Sequence, residues 1–257
     1  MLTFDVEEFD IPLEYNLQIE KKEQLEIGRK GLEAITSILD DEALACTLFT
    51  TANFATYYPE AINRLAKKHE IASHTYYHSS FETSHLASSK KVLEEISGVE
   101  VTGLRMPRLR PVEMKDVLEA GYEYDSSINP TLIPGRYNNT HLPRLLYTDE
   151  GVLRLPASVT PNFRIPLFWL AFKNMPYLLY KRLAIQSLKK DGCLSLYFHP
   201  WEFTDLSKFE LPGYVKRWSG EILLNRLKKL IDDLRPYGDF VTIRSFITWS
   251  KNNNSTS

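Results

Sequence analysis

Two carboxylates close to the start of the chain have the chemistry and spacing of a metal ligand and a catalytic base. Asp5 and Glu7 stand two residues apart at the end of an apolar segment that predicts a strand, so their side chains point to the same face. Two neighbouring acids repel each other unless a cation or a proton lies between them. Taken alone, the segment is more typical of a polar strand end that enters an acidic loop.

Two histidines further along the chain strengthen the metal interpretation. His74 and His78 are four residues apart, which places both imidazoles on one face if the segment is helical. Zinc sites use this spacing. The zinc protease motif is excluded, because Thr75 stands where that motif needs a glutamate. For the pair alone, a metal site and a chance spacing are about equally supported.

Three further polar residues stand at the ends of predicted strands. His199 follows an apolar strand and precedes Pro200, Arg105 follows a second strand, and Asp125 ends a third. Each is unremarkable alone, and His199 is equally typical of a histidine satisfied beneath aromatic side chains. In a barrel of parallel strands, however, the carboxyl ends of the strands carry the chemistry. We therefore expect these residues to meet Asp5 and the two histidines.

Short apolar segments alternate with helical patterns along the chain, which predicts βαβ units around a parallel sheet. Roughly seven or eight units in one chain of 257 residues favour a closed or nearly closed barrel in a single domain, residues 1–250. The polar tail, 251–257, is predicted to be disordered. The predicted strands are 2–6, 46–50, 70–73, 101–104, 122–128, 152–155, 193–198 and 240–243. The predicted helices are 24–39, 59–68, 88–96, 111–120, 166–190 and 220–234.

The composition excludes several classes of function. A formal net charge of −2 gives no reason to expect a nucleic-acid partner, because phosphate binding needs a basic surface. Cys46 and Cys193 each lie in an apolar stretch, which favours reduced thiols over a disulfide. No secretory signal follows Met1, so we expect either a cytoplasmic protein or a chain trimmed at its N-terminus. No segment is long and apolar enough to span a membrane.

Five segments, taken in order over roughly residues 2–200, resemble the five motifs of the carbohydrate esterase family 4 polysaccharide deacetylases. One such motif is weak, whereas five in order are specific. The resemblance implies a distorted (β/α)7-type barrel. The segments are Thr3-Phe4-Asp5-Val6-Glu7, His74-Thr75-Tyr76-Tyr77-His78, Arg105-Met106-Pro107-Arg108, Asp125-Ser126-Ser127 and Leu196-Tyr197-Phe198-His199-Pro200.

The resemblance also implies a role for each matched residue. A divalent metal would be held by Glu7, His74 and His78, with zinc as the first expectation and nickel, cobalt or iron suiting the same ligands nearly as well. The other implied roles are base for Asp5, partner of that base for Arg105, acid for His199, orienting partner of His199 for Asp125, and oxyanion site for Pro107 and the backbone N–H of Arg108.

Three positions depart from the usual pattern of that family. The acidic ligand is a glutamate two residues after Asp5, as in an Asp-x-Glu branch, and we rank Glu7 over Glu8 as that ligand. Arg108 replaces an aromatic residue, so we expect it to meet an acidic group of the substrate. Ile128 and Asn129 stand where a tryptophan often follows the aspartate motif.

The segment 163–188 combines many aromatic residues with several basic ones. The first interpretation is a core helix rich in aromatic side chains. The alternative is a face that lies on a membrane surface and lets the protein reach lipid-linked sugars.

The resemblance implies a metal-dependent hydrolase that removes N-acetyl groups from a polysaccharide, peptidoglycan or a lipid-linked sugar precursor. Two alternatives stay open at this point. One is an allantoinase-like cyclic-amide hydrolase, because the same fold hosts such enzymes and some of them work without metal. The other is a non-catalytic sugar-binding protein with a decayed site. The sequence identifies neither the sugar nor the oligomeric state.

Overall fold

Residues 1–254 are described by the computed structural model, and the chain alternates between strands and helices throughout this range. The strands are β1 (Leu2–Val6), β2 (Cys46–Thr50), β3 (Glu70–Ser73), β4 (Gly103–Leu104), β5 (Tyr124–Asp125), β6 (Leu132–Ile133), β7 (Tyr137–Asn138), β8 (Tyr147–Asp149), β9 (Val152–Arg154) and β10 (Leu196–Phe198). The helices are α1 (Lys21–Ala34), α2 (Thr36–Leu39), α3 (Ala52–Tyr57), α4 (Pro59–Ala66), α5 (Ser84–Ser97), α6 (Met114–Glu119), α7 (Trp169–Asn174), α8 (Tyr177–Asp191), α9 (Gly213–Lys216), α10 (Glu221–Leu234) and α11 (Ile243–Asn254).

Eight of the strands form one curled sheet in the order β10-β1-β2-β3-β4-β5-β9-β8. Every neighbouring pair is parallel except β8 and β9. Beyond β9 the chain bends back toward β10, where the N–H of Ser158 donates to the carbonyl of Ser195 over 2.9 Å. The prediction of a distorted barrel built from parallel strands is therefore confirmed.

The strands of the sheet place apolar and polar side chains on opposite faces. Phe4 lies opposite Leu48 and Phe198 in the register, and all three belong to the large core beneath the surrounding helices. Asp5 lies opposite Phe49 and points to the other face, because neighbouring side chains of a strand alternate. The polar side chains of β1 therefore point into the barrel interior.

Helix α1 packs unusually close to two segments that carry candidate site residues. A Cβ atom at Gly28 would lie 2.4 Å from the carbonyl oxygen of Glu7, and one at Gly31 would lie 2.4 Å from that of Pro200. Real Cβ atoms do not come so close, so only glycine permits this approach. The two glycines therefore fix the spacing between the end of β1 and the turn that follows β10.

The C-terminal part of the chain differs from the sequence prediction. The predicted strand 240–243 makes only a single bridge, between Phe240 and Leu44, and α11 begins at Ile243. The hydroxyl of Thr242 accepts the N–H of Ser245 at 3.1 Å, which satisfies a donor at the start of the helix. Residues 251–254 belong to α11, so the prediction of a disordered tail was wrong for them, and 255–257 lie outside the described residues.

The predicted helix 166–190 is divided in two. Helix α7 ends at Asn174, and α8 begins after Pro176, which lacks the N–H that a continuous helix would need. Among the helices of residues 1–254, none has both the length and the apolar character that crossing a membrane requires.

Candidate active site

Three potential metal ligands converge at the carboxyl ends of β1 and β3. One oxygen of Glu7, Oε2, lies 3.0 Å from Nε2 of His74 and 3.1 Å from Nε2 of His78. One donor atom from each of the three lies within 4.8 Å of those of the other two. All three side chains are buried. We call this group the ligand triad.

His74 and His78 do not lie on a helix, although a helical segment was the condition under which their spacing would place both imidazoles on one face. The chain leaves β3 at Ser73 and enters a loop in which Thr75 adopts a left-handed backbone conformation, with φ of 61°. The resulting turn brings the imidazoles of His74 and His78 into a stacked arrangement with ring centres 5.6 Å apart. Both Nε2 atoms consequently face Glu7 without the help of helical spacing.

The hydrogen bonds around the ligand triad direct lone pairs toward one point. Nδ1 of His74 bonds to the carbonyl of Arg105 at 2.7 Å, and Nδ1 of His78 to Oδ1 of Asp10 at 2.6 Å. Because a carbonyl oxygen only accepts, Nδ1 of His74 carries the proton, and the Nε2 of its neutral ring has a lone pair. The indole N–H of Trp201 donates to Oε1 of Glu7 at 2.9 Å. The other oxygen, Oε2, faces the Nε2 atoms of the two histidines.

The triad has the features of a cation site. Within residues 1–254, neither Oε2 of Glu7 nor Nε2 of His74 has a hydrogen-bond partner, although both atoms are buried. Buried polar atoms without partners are costly, and a divalent ion would satisfy them together. Imidazole and carboxylate ligands suit zinc and its neighbours in the first transition series. The donor set therefore fits the metal that the sequence predicts.

The charges within the triad reinforce one another. Burial opposes ionisation of Glu7, but His78, His199 and His74 outweigh it and lower the pKa of the Glu7 carboxyl well below its usual range. Burial also opposes a charge on His78, yet the carboxylates of Glu7 and Asp10 raise the pKa of His78 to about 9. Carboxylate and imidazole thus stabilise each other's charged forms in this buried group.

The neighbouring acid, Glu8, points elsewhere. Its carboxylate accepts hydrogen bonds from the hydroxyl of Thr51 at 2.7 Å and from the amide of Asn53 at 2.5 Å, both at the start of α3. Burial raises the pKa of Glu8. The ranking of Glu7 over Glu8 as the acid beside the histidines agrees with this arrangement.

The expected pair of Asp5 and Arg105 is present in the barrel interior. The guanidinium of Arg105 donates to Oδ1 of Asp5 at 2.6 Å and to the hydroxyl of Thr3 at 2.9 Å. It also bonds to Ser126 and lies over the ring of Phe49, with its central carbon 4.0 Å from the ring centre. Both members of the pair are buried, so Arg105 holds one carboxylate oxygen of Asp5 in a fixed position.

His199 lies across the site from the triad, with Nε2 at 3.9 Å from Oδ2 of Asp5. Its ring stacks on Trp201, with centres 4.8 Å apart, and meets the edge of Trp169 at 5.1 Å. The other nitrogen, Nδ1, lies 3.1 Å from Oε1 of Glu202, which also accepts the backbone N–H of His199. One nitrogen of the ring is therefore anchored, and the other faces the reaction centre.

Asp125 is not the partner of His199, so the expected contact between them was wrong. The carboxylate of Asp125 lies 3.0 Å from Nε of Arg154 and accepts the N–H of Ser127. Strand β5 pairs with β9, and Asp125 lies opposite Arg154 in that register, which directs the acid toward this neighbour. Glu202 occupies the position beside His199. The spacing of a histidine and a glutamate three residues later, typical of a capped turn, was the signal available in the sequence.

Arg108 lines the cleft, and its expected contact with an acidic substrate group stays a prediction. Its guanidinium donates to Asp10 at 2.9 Å and to Glu14 at 2.6 Å, so two carboxylates of the protein already balance its charge. The backbone is left-handed at Arg108 and Leu109, in the short turn that Pro107 begins. The role of the Arg108 N–H at the oxyanion stays a prediction.

The triad, Asp5 and His199 lie in one open cleft. Its other walls are largely aromatic and combine loops and helices from distant parts of the chain. Such a surface, with a few convergent polar groups at its base, is typical of a small-molecule site. The aromatic residues are Tyr15, Tyr137, Phe168, Trp169, Tyr197, Trp201 and Tyr214.

The fold is similar to those of several solved structures. A Mycobacterium smegmatis protein described as a polysaccharide deacetylase is 21% identical, with 99% of this chain and 90% of that chain covered and a TM-score of 0.62. A Pseudomonas aeruginosa protein with the same description is 15% identical over 93% and 85% of the two chains, with a TM-score of 0.62. The allantoinase PuuE is 17% identical over 93% and 85%, with a TM-score of 0.61. At these identities the likeness concerns the fold.

A sequence family also matches the chain directly. Residues 1–124 match the family described as polysaccharide deacetylase, and this range contains Asp5, the ligand triad and Arg105. No curated protein matches the chain. Both comparisons are consistent with the motif residues that lie together in the cleft. Residues 1–124 therefore have the sequence character of the polysaccharide deacetylase family.

Proposed function

We propose that the protein is a metal-dependent hydrolase that removes the acetyl group from an N-acetylated sugar. The observation that carries the proposal is the ligand triad, whose unpartnered oxygen and nitrogen atoms lie beside a carboxylate and an imidazole. A divalent cation, with zinc as our first choice, would be held by Glu7, His74 and His78. When bound, it supplies Lewis-acid polarisation of the amide carbonyl and of water.

The protein groups perform the proton transfers of the proposed reaction. Asp5, oriented by Arg105, removes a proton from water as the water oxygen bonds to the acetyl carbon. The backbone N–H of Arg108, after Pro107, is assigned to the oxygen that becomes negative. His199 then donates a proton from Nε2 to the amide nitrogen as the carbon–nitrogen bond breaks. Acetate and the free amine of the sugar are the products.

The cleft supports a carbohydrate as substrate. Aromatic rings line much of its wall, together with charged side chains that include Glu14, Arg108 and Arg136, a distribution that combines apolar contact area with orienting polar atoms. We therefore propose an N-acetylated polysaccharide, a peptidoglycan fragment or a lipid-linked sugar precursor as substrate. The sugar in each case presents its acetamide to the base of the cleft.

Acetate release from N-acetylated oligosaccharides, measured together with elemental analysis, tests the proposal. We expect turnover by the metal-loaded protein and its loss after chelation. Asp5→Asn should abolish turnover while the metal stays bound, because asparagine cannot accept the proton. Asp239→Asn, which removes an exposed carboxylate, is the matched control. A fully active Asp5→Asn variant would contradict the role of Asp5, and absence of acetate release from every N-acetylated sugar would contradict the activity.

A ureide hydrolase is the second candidate, favoured by the fold likeness to PuuE allantoinase. The same protein preparation distinguishes the two. Turnover of allantoin by protein freed of metal supports the second candidate, whereas acetate release that requires metal supports the first. A sugar-binding protein with a decayed site would give neither reaction, although it would still bind the oligosaccharide.

We also propose that the protein contacts a membrane surface through part of the segment 163–188. Two of its aromatic residues, Phe172 and Tyr180, are buried in the core, in line with the core interpretation. The side chains of Phe163 and Leu178, in contrast, are 84% and 75% exposed. Arg182 and Lys190 line the same shallow groove as Leu178. Exposed apolar side chains among cations complement an anionic lipid surface, while a cytoplasmic location stays a prediction.

A further inference from the structure

A buried ion pair lies directly behind His199. The ammonium of Lys173, in α7, is 3.0 Å from Oε2 of Glu202, and both side chains are fully buried. Lys173 also donates to the carbonyl of Val215 at 2.8 Å and lies over the ring of Trp169, 5.4 Å from its centre. Removing two charges from water is expensive, and neither residue belongs to the proton transfers described above.

The two oxygens of Glu202 join this pair to His199. Oε2 faces Lys173, while Oε1 accepts from the backbone N–H of His199 at 2.9 Å and lies 3.1 Å from its Nδ1. A carboxylate at this position requires the proton on Nδ1. Nε2, on the side of Asp5, then becomes the nitrogen that exchanges protons.

We propose that Lys173 and Glu202 are positioning residues that hold the His199 ring with its Nδ1 protonated and its Nε2 directed at the departing amine. The proposal rests on the proposed function, because it assigns a purpose to the pair only if His199 is the acid. Lys173 acts through Glu202, since its charge keeps the buried carboxylate ionised. Trp169 and Trp201 fix the plane of the ring between them.

The charge balance around the ring agrees with this assignment. Burial alone would raise the pKa of Glu202, but Lys173 and His199 outweigh it and lower that pKa. Burial likewise disfavours protonated His199, whereas Glu202 from its own turn, Glu7 just after β1 and Asp5 in β1 raise the pKa of the imidazole. Without the charge of Lys173, a protonated carboxyl of Glu202 would donate to Nδ1 instead of accepting from it. The ring would then be a neutral imidazole without the Nδ1 proton, and not the imidazolium that can release a proton from Nε2 and keep the one on Nδ1.

Lys173→Met is the direct test, because methionine fills similar space without charge. Nitrogen-15 NMR of the histidine rings, with the His199 signal identified by comparison with His199→Gln, reports the tautomer. We expect the Nδ1 proton of His199 to be lost and kcat to fall by roughly 10- to 100-fold, the usual range for groups that orient an active residue. KM and metal content should remain within a factor of about two, because Lys173 itself neither lines the cleft nor belongs to the triad.

Two further variants separate positioning from folding. Lys173→Arg retains the charge and should restore the wild-type tautomer and most of the turnover. Glu202→Gln keeps the volume of the side chain and tests the same contact if Lys173→Met does not fold. Native tautomer and native kcat in both Lys173→Met and Glu202→Gln would overturn the proposal. A wild-type protein that releases no acetate would instead contradict the proposed function, while the NMR comparison would still report on the pair.

Discussion

His78 and Asp10 are joined by a hydrogen bond of 2.6 Å between the imidazole Nδ1 and the carboxylate Oδ1. The second oxygen of Asp10 accepts from Arg108 at 2.9 Å, so the carboxylate is fixed from both sides. A carboxylate at Nδ1 sets the orientation and the tautomer of a metal-binding histidine and raises its basicity. Asp10 therefore supports the proposed metal site through His78, although its carboxylate does not belong to the ligand triad.

Replacing Asp10 by alanine should weaken metal binding by roughly 10- to 100-fold, the usual cost of removing such a partner. The affinity can be measured by competition for zinc against a chromophoric chelator. Asp10→Asn should lose less, because its amide oxygen still accepts from Nδ1. Asp239→Asn should bind zinc as the wild type does. Equal zinc affinity of Asp10→Ala and wild type would show that the hydrogen bond between His78 and Asp10 does not strengthen metal binding.

Substitution of Glu7 and of Glu8 tests which of the two neighbouring glutamates is the metal ligand. Glu7→Gln should lose stoichiometric zinc, because an amide oxygen is a poor substitute for a carboxylate beside two imidazoles. Glu8→Gln should retain zinc, since the Glu8 side chain bonds to Thr51 and Asn53 instead. Elemental analysis of the two purified variants distinguishes them. Zinc retained by the first and lost by the second would reverse the ligand assignment.

The first three strands were predictable from the sequence for a physical reason, whereas the ligand triad was implied by the family resemblance. Buried parallel strands are visible as short apolar runs, and β1, β2 and β3 have the predicted bounds. The polar residues at the ends of β1 and β3 then had to meet at one edge of the sheet. Strands β4 and β5, with two residues each, are shorter than their apolar segments, because apolar character continues into the loops.

The supporting contacts of the site could not be predicted in the same way. The contact between Asp10 and His78 joins residues 68 positions apart, and Lys173 reaches Glu202 from a different element. No local periodicity encodes such pairs, since each depends on how loops pack after the barrel forms. The C-terminal helix was missed for a local reason instead. Residues 240–243 are apolar and β-branched, and this composition outweighed the capping signal of Thr242.

His69 predicts how stability depends on pH away from the metal. Its Nδ1 accepts the N–H of Cys46 at 3.2 Å and its Nε2 donates to the carbonyl of Leu39 at 3.0 Å, so the ring is neutral. Burial lowers the pKa of His69 from 6.5 to about 4. The unfolded chain therefore binds this proton first, and the contribution of His69 is complete above pH 6.5 and is lost as the pH falls toward 4.

Urea unfolding of wild type and His69→Gln measures that contribution. The wild type should be the more stable protein at pH 7.5, and the difference in free energy of unfolding should shrink at pH 5. Comparison of the two proteins removes the titration of the other histidines, including His78. His141→Gln, which changes an exposed histidine, should differ little from wild type at either pH. A difference that grows on acidification would contradict the assigned neutral ring.

Flotation with vesicles tests the proposed contact with lipid. The protein should float with vesicles that contain about one third phosphatidylserine and not with pure phosphatidylcholine, because Arg182 and Lys190 contribute roughly 1 kcal/mol each near an anionic surface. Salt should weaken binding, since it screens these charges. Leu178→Glu should abolish flotation by placing a carboxylate among the lipid headgroups. Leu118→Glu is the matched control, because Leu118 is also exposed, at 48%, but lies in α6. Failure of the wild type to float, or equal loss in both variants, would remove this surface as a lipid contact.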